Sequence, residues 1–179
     1  MDYRSINVSI SPRHILPWIR QQVQVDGQAM FYISRRLSIS SLTTNIYDTD
    51  SSDPIVKIHR DSLRRRVYSI ETADQYFTVR KLSYWQWECR GEEETIMINR
   101  LGGFKCVLSD SGRQTALIAL GSSLPLCNDR HTHIKVNDRK YLFLAIAASL
   151  ILKSQGLDIT PLLLKSNKLN PIRTVEFAR

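Results

Sequence analysis

The sequence predicts a mainly β domain (α+β by content). It is an antiparallel meander closing into a barrel of about ten to twelve strands around one buried C-terminal hydrophobic helix, near residues 139–154. Three observations predict it. From Ala29 onward, short runs with apolar residues at alternate positions recur at near-regular spacing, each bounded by a turn cluster, with few helical interruptions. After Val136 the pattern breaks into one block, Leu142 to Leu152, that is apolar on every side. The chain has 179 residues, 42% of them hydrophobic, enough for a substantial core in one domain.

The elements follow in order. In residues 1–28, Ile6, Val8 and Ile10 alternate with polar residues as a short strand. Pro12 and Pro17 bracket His14 to Leu16, and Trp18 to Val25 reads as a short helix or an extended arm. This segment is expected as an N-terminal strand or arm, followed by the barrel over 29–155. Met30 to Ile33 is a strand, and Leu37 to Tyr47 alternates with many Ser and Thr. Asp48 to Pro54 is a dense turn cluster, because Asx side chains bond their own backbone and proline fixes φ. Ile55 to His59, Arg65 to Ile70 and Tyr76 to Leu82 come next.

Tyr84 to Cys89 carries the clearest alternation, with Trp85, Trp87 and Cys89 expected on one face. Ile96 and Ile98 mark another strand, and Gly102-Gly103 turns into Phe104, Cys106 and Leu108. Asp110-Ser111-Gly112 turns into Thr115 to Leu120, and His131 to Val136 is the last strand. Asn137 or Asp138 is a fitting N-cap for a helix from Arg139 to Ser154, with Lys153 in its last turn and Gly156 as its stop. A helix with no polar face must be surrounded by protein or lipid. Its apolar run of about 12 residues is roughly 18 Å long, against the about 20 residues a bilayer requires. The strands are therefore expected to enclose it. Residues 156–179, with Pro161 and Pro171, form an arm or tail.

Charge is the second line of inference. The 25 Lys and Arg against 17 Asp and Glu leave +8 at neutral pH, which favours anionic partners such as lipid headgroups or nucleic acid. The three cysteines, Cys89, Cys106 and Cys127, are too sparse for a disulfide framework or a paired metal site. The first ten residues lack the apolar stretch of a secretory signal. A cytoplasmic setting, peripheral at a membrane, is the expectation.

A run of antiparallel strands closing on a wholly apolar helix resembles the tubby C-terminal-like superfamily. That group includes tubby proteins, LURP-one-related proteins, phospholipid scramblases and small fungal tubby-like domains of unknown function. The likeness is carried by Ile46-Tyr47-Asp48-Thr49-Asp50 with Ile55-Val56-Lys57-Ile58, by Trp85-Gln86-Trp87, by the Gly102-Gly103 turn, and by Lys140 to Leu152. It spans roughly residues 29 to 155 and implies a barrel of about twelve strands around the helix. It also implies phosphoinositide recognition through basic barrel residues, none of which aligns residue by residue here. The calcium segment of scramblases has no acidic counterpart in this chain.

The candidate anion-binding residues are Lys57, Arg60, Arg64, Arg65 and Arg66, with Arg35-Arg36 elsewhere in the chain. Arginine offers bidentate donors to phosphate oxygens. Against this stands a solvated turn between strands, with Asp61 offsetting part of the charge. Tyr84, Trp85 and Trp87 beside Arg80 and Lys81 have the basic–aromatic mix of single-strand nucleic-acid platforms, but a Trp-x-Trp pair on one strand face more often packs a core. Cys127, His131 and His133, with Asp129 nearby, lack a set of ligands that fixes a metal geometry. No metal or cofactor is expected. No nucleophile elbow, P-loop, dinucleotide fingerprint or HExxH motif occurs. The expected function is therefore a non-catalytic module binding an anionic ligand or membrane headgroup. The alternatives are a protein–protein scaffold whose charge is incidental, and nucleic-acid binding.

Overall fold

A computed structural model of the chain describes residues 5–12, 20–37, 42–60, 67–102, 104–121 and 131–155. Among them are β1 (Ile6–Ile10), β2 (Gln21–Val25), β3 (Gln28–Leu37), β4 (Leu42–Asp48), β5 (Pro54–Arg60) and β6 (Val67–Thr72). The series continues with β7 (Tyr76–Lys81), β8 (Gln86–Arg90), β9 (Thr95–Gly102), β10 (Lys105–Asp110), β11 (Arg113–Ala119) and β12 (Thr132–Val136). A single 3₁₀ turn, Arg139–Tyr141, then leads into α1 (Leu142–Ser154). Consecutive strands pair antiparallel, and β1 pairs with both β2 and β12, so the meander closes into a twelve-stranded barrel.

Local chemistry sets the tightest turns. Asp26-Gly27 and Ser111-Gly112 each link two strands across two residues, with φ of +49° and +84° in the first and +49° and +82° in the second. Two successive positive φ values are the I′ geometry that matches strand twist, and glycine adopts it without a Cβ clash.

Alternation along each strand puts one apolar row inside. Phe31 and Ile33, Val56 and Ile58, Phe77 and Val79, Ile96 and Ile98, Cys106 and Leu108, and Ile134 and Val136 are all at most 6% exposed. The outward rows carry residues such as Asn7, Gln24, Asn45, Glu88 and Lys135. This polarity is the reverse of a lipid-facing barrel, whose apolar band points outward.

The helix fills the interior. Ala145, Ile146, Ala147 and Ala148 have no accessible surface, and Leu144, Leu150 and Leu152 are at most 5% exposed. Ser149, the buried polar residue of α1, is satisfied within the helix by donating its hydroxyl to the Ile146 carbonyl at 2.7 Å. Asp138 caps the 3₁₀ turn, its Oδ1 accepting from the Lys140 backbone N–H at 3.0 Å. Among the described residues no helix is long and apolar enough to cross a membrane.

Two expectations differ from what is seen. The segment read as an N-terminal strand or arm, residues 1–28, supplies β1 and β2, and β1 is the strand that closes the barrel. The alternation of Ile6, Val8 and Ile10 marks β1 as a strand, but its partner β12 lies across the whole length of the chain, so no local pattern shows that it closes the barrel. Leu37 to Tyr47, which alternates as one strand, is divided between the end of β3 and β4, which pair with each other from Phe31↔Asp48 to Leu37↔Leu42. Ser and Thr continue the alternation through a reversal that neither Gly nor Pro marks. The 156–179 tail and its Gly156 stop lie outside the described residues.

At the end where the helix begins, the Tyr141 hydroxyl donates to Asp110 Oδ2 at 2.6 Å, and Lys140 Nζ donates to Glu94 Oε2 at 2.7 Å. The Tyr141 hydrogen bond holds the Asp110 carboxyl below its usual 3.8. Burial, and then the Asp110 bond, pushes the Tyr141 phenol well up. The Glu94 bond raises the Lys140 ammonium. A depressed carboxyl stabilises the fold above its unfolded pKa and loses that contribution as pH falls through the folded value. Tyr141→Phe should therefore lower stability at pH 7 by roughly 1 kcal/mol, the Tyr141–Asp110 bond being only part-buried. Urea midpoints at pH 7 and pH 3 check this: the variant should show the smaller drop between them.

Candidate functional site

Strand direction gives the barrel two chemically different ends. The odd-numbered strands finish, and the helix leaves, at what is here termed the exit end; the helix starts at the entry end. Three contacts fix the helix axis along the barrel. Trp87 Nε1–H donates to Gln155 Oε1 at 3.0 Å, Tyr68 Oη lies 3.5 Å from Ser154 Oγ, and Lys153 Nζ lies 3.5 Å from Thr132 Oγ1. Trp87, Tyr68 and Thr132 all belong to the first two residues of strands that start at the exit end.

Four strands reach the exit end with the same inward sequence, two apolar residues and then a cation. They read Phe31-x-Ile33-x-Arg35, Val56-x-Ile58-x-Arg60, Phe77-x-Val79-x-Lys81 and Ile96-x-Ile98-x-Arg100. A period of two carries the apolar row up the interior and places the cation at the rim. Lys153, in the last turn of α1, adds a fifth. The rim cations are held by their surroundings. Arg35 Nη2 donates to Gln21 Oε1 at 3.3 Å, and the Arg60 guanidinium lies 5.7 Å from the centre of the Tyr68 ring. Lys81 Nζ lies 5.4 Å from the Trp87 ring, and Arg100 4.8 Å and 5.5 Å from Tyr84 and Trp85. Such ring–cation contacts orient a cation. Arg20, Arg80 and Lys105 stand at the same end on the described chain.

The entry end carries the opposite sign. Strands β4, β10 and β12 arrive there as Thr44-x-Ile46-x-Asp48, Cys106-x-Leu108-x-Asp110 and Ile134-x-Val136-x-Asp138. Every described Asp and Glu except Glu71 and Glu88, which lie within their strands, is at this end, together with Arg90, Arg113, Arg139 and Lys140. Glu88 sits mid-barrel, its Oε2 3.4 Å from Arg80 Nη2. A cavity of about 960 Å³ opens at the entry end, lined by Glu71, Asp74, Glu92, Glu93, Glu94 and Asp110, among others.

A structural reason accounts for part of this polarity. A helix is electrically equivalent to about half a positive charge at its N-terminus and half a negative charge at its C-terminus. Asp138 at the start of α1 and Lys153 at its end answer that dipole. Half a charge at each end is less than the rim sets carry.

Of the residues expected from the sequence, the structure separates Lys57 from Arg60. Lys57 is an outward position in the middle of β5, its Nζ 3.5 Å from Glu71 Oε1, whereas Arg60 continues the inward row to the rim. They are three residues apart, an odd number, which in a strand means opposite faces. Arg64, Arg65 and Arg66 lie outside the described residues. Trp85 does not share the Trp87–Cys89 face. Ser83 to Trp85 form a bend, Ser83 Oγ accepting from the Trp85 N–H at 3.2 Å, and β8 begins only at Gln86. Trp87 is 5% exposed and Trp85 54%. Phe104 likewise precedes its strand and is 44% exposed.

The other chemistry-bearing groups are arranged differently. Cys89 and Cys106 are buried and free; burial pushes their thiols up to about 12 and about 11, far from thiolate at neutral pH. His131 and His133 have ring centres 6.2 Å apart, while Cys127 and Asp129 lie outside the described residues. Arg100 and Lys153 stand singly in the sequence and Lys81 has only Arg80 beside it, apart from the charge run at 60–66, so charge density does not single them out. The signal that does is the repeat of apolar-x-apolar-x-cation on alternate strands. No family model, curated protein or solved structure matches this chain.

Proposed function

We propose that the exit end of the barrel is a non-catalytic binding surface for phosphate-bearing anions, with the headgroups of an anionic membrane as its principal target. One observation carries the reading: Arg35, Arg60, Lys81, Arg100 and Lys153 converge on one rim, while most of the described carboxylates gather at the other. A molecule charged in this way is steered end-on toward an anionic surface, with its acidic end facing away from it. Arginine forks match phosphate oxygens in pairs, and lysines add point charge. A twelve-stranded barrel closed around a C-terminal helix also agrees with the architecture implied by the tubby-like resemblance, and that relationship is part of the proposal.

The test is co-sedimentation of the full chain with vesicles. One arm is phosphatidylcholine alone, one adds phosphatidylserine, one adds a phosphoinositide, and a fourth offers soluble inositol phosphate as competitor. Binding to the anionic vesicles that weakens with salt is expected. Competition by the soluble anion at low concentration would identify a headgroup pocket, and its absence a distributed surface. Equal and negligible binding to all vesicles overturns the reading.

A further inference from the structure

We infer that the bend from Leu82 to Trp85, together with Leu101 at the end of β9 and Phe104 just before β10, forms an apolar edge beside the cationic rim that inserts into the headgroup layer of an anionic membrane. The inference rests on the anionic-surface reading and adds to it the element that touches lipid. Leu82, Trp85, Leu101 and Phe104 are 44%, 54%, 63% and 44% exposed. They are most of the large apolar side chains that the described surface leaves open, and they come from one place. β8 and β9 pair from Gln86↔Asn99, and just beyond that pair the Arg100 N–H donates to the Trp85 carbonyl at 2.8 Å, tying the bend to the end of β9. Concentrated exposed apolar surface marks an interaction site.

Charge and residue type select the occupant. Lys81 and Arg100 belong to the rim, and Lys105 follows Phe104 directly. Trp and Phe bounded by Lys and Arg is the composition of segments that lie at a membrane–water interface, rings at headgroup depth and cations on the phosphates. A single-stranded nucleic acid fits this edge less well. Bases stack on open aromatic faces, whereas Tyr84 and Trp85 meet edge to face at 88° with Arg100 over both rings. Leu82 and Leu101 have no π face to offer a base.

Vesicles of phosphatidylcholine and phosphatidylserine, some with brominated acyl chains, test the inference on the full chain. The chain holds three tryptophans, Trp18, Trp85 and Trp87, so the difference between wild type and Trp85→Phe isolates Trp85. Bromolipid quenching in the wild type that falls sharply in Trp85→Phe is expected. The exposed-site variant Trp85→Ser/Leu101→Ser/Phe104→Ser should keep its thermal midpoint and bind these vesicles on the order of tenfold to hundredfold more weakly, from lost apolar burial. Wild-type binding with unchanged quenching in Trp85→Phe and unchanged affinity in the triple variant would overturn insertion and leave the headgroup reading standing. No vesicle binding by the wild type overturns both. Quenching of Trp85 by a single-stranded oligonucleotide, without any by bromolipid, would assign the edge to nucleic acid and overturn the membrane inference.

Discussion

Ala147→Asp is expected to leave the chain without a cooperative fold. Ala147 has no accessible surface, and the helix around it is enclosed by barrel strands on every side. A carboxylate there would stand inside the apolar core cluster, at a position with no accessible surface. An unpaired buried charge is worth several kcal/mol against folding, and the inserted atoms add about 1–3 kcal/mol of overpacking. The whole stability of a domain is about 5–15 kcal/mol, so the two terms together reach its range. Protonation of the new carboxyl lowers the cost without removing it, because a neutral acid also needs partners. Ala147→Ser is the graded control. Its hydroxyl can donate back to the helix carbonyl four residues earlier, much as Ser149 donates to Ile146, and it should unfold cooperatively with a lower midpoint. Thermal unfolding followed by circular dichroism checks both. A cooperative transition near the wild-type midpoint in Ala147→Asp would show that the helix is not enclosed.

The second large effect is expected at the rim. Replacing Arg35, Arg60, Lys81 and Arg100 together by Gln keeps side chains of similar reach and removes four charges. Each Lys or Arg near an anionic membrane contributes about 1 kcal/mol. Tenfold in affinity corresponds to about 1.4 kcal/mol, so the quadruple variant should bind phosphatidylserine vesicles on the order of 10³-fold more weakly. Lys57→Gln is the informative comparison. Lys57 is mid-barrel, outward and next to Glu71, so its loss should change vesicle affinity by less than about twofold, within what a screened surface pair contributes. If Lys57→Gln weakened binding as much as Arg60→Gln, the contact face would be the flank of the barrel and not its end. Salt should separate the two parts of the binding surface. The rim contribution fades as the Debye length shortens from about 10 Å at 0.1 M to about 3 Å at 1 M, while the Leu101, Trp85 and Phe104 contribution persists.

Much of this architecture is local. Alternation over Val67–Thr72, Tyr76–Lys81 or Thr95–Gly102 needs only neighbours in sequence, because one buried face and a period of two dictate it. The same holds for Asp-Gly and Ser-Gly turns and for the Asp138 cap. The all-round apolar stretch from Leu142 to Leu152 required an enclosure, and its length required that the enclosure be protein. Those are statements about one segment and its solvent.

What the chain order conceals is which segments become neighbours. Trp85 alternates correctly with Trp87, yet a bend at Ser83 takes it out of the row and into water, where it joins Leu101 at the end of β9 and Phe104 before β10. β1 finds β12 only when the barrel closes. Arg35, Arg60, Lys81 and Arg100 are spaced some twenty residues apart in the sequence, and the dense charge run at 60–66 draws attention from them. They share one rim because alternate strands of a meander point the same way, so that equal positions on every second strand meet at one end. The sign of each end was written in part in the sequence, as apolar-x-apolar-x-cation on β3, β5, β7 and β9 and as apolar-x-apolar-x-Asp along β10 and past the end of β12. Closure of the barrel is what gathers those single charges into two opposed surfaces, because only a closed, up-and-down sheet brings all the ends of one direction together.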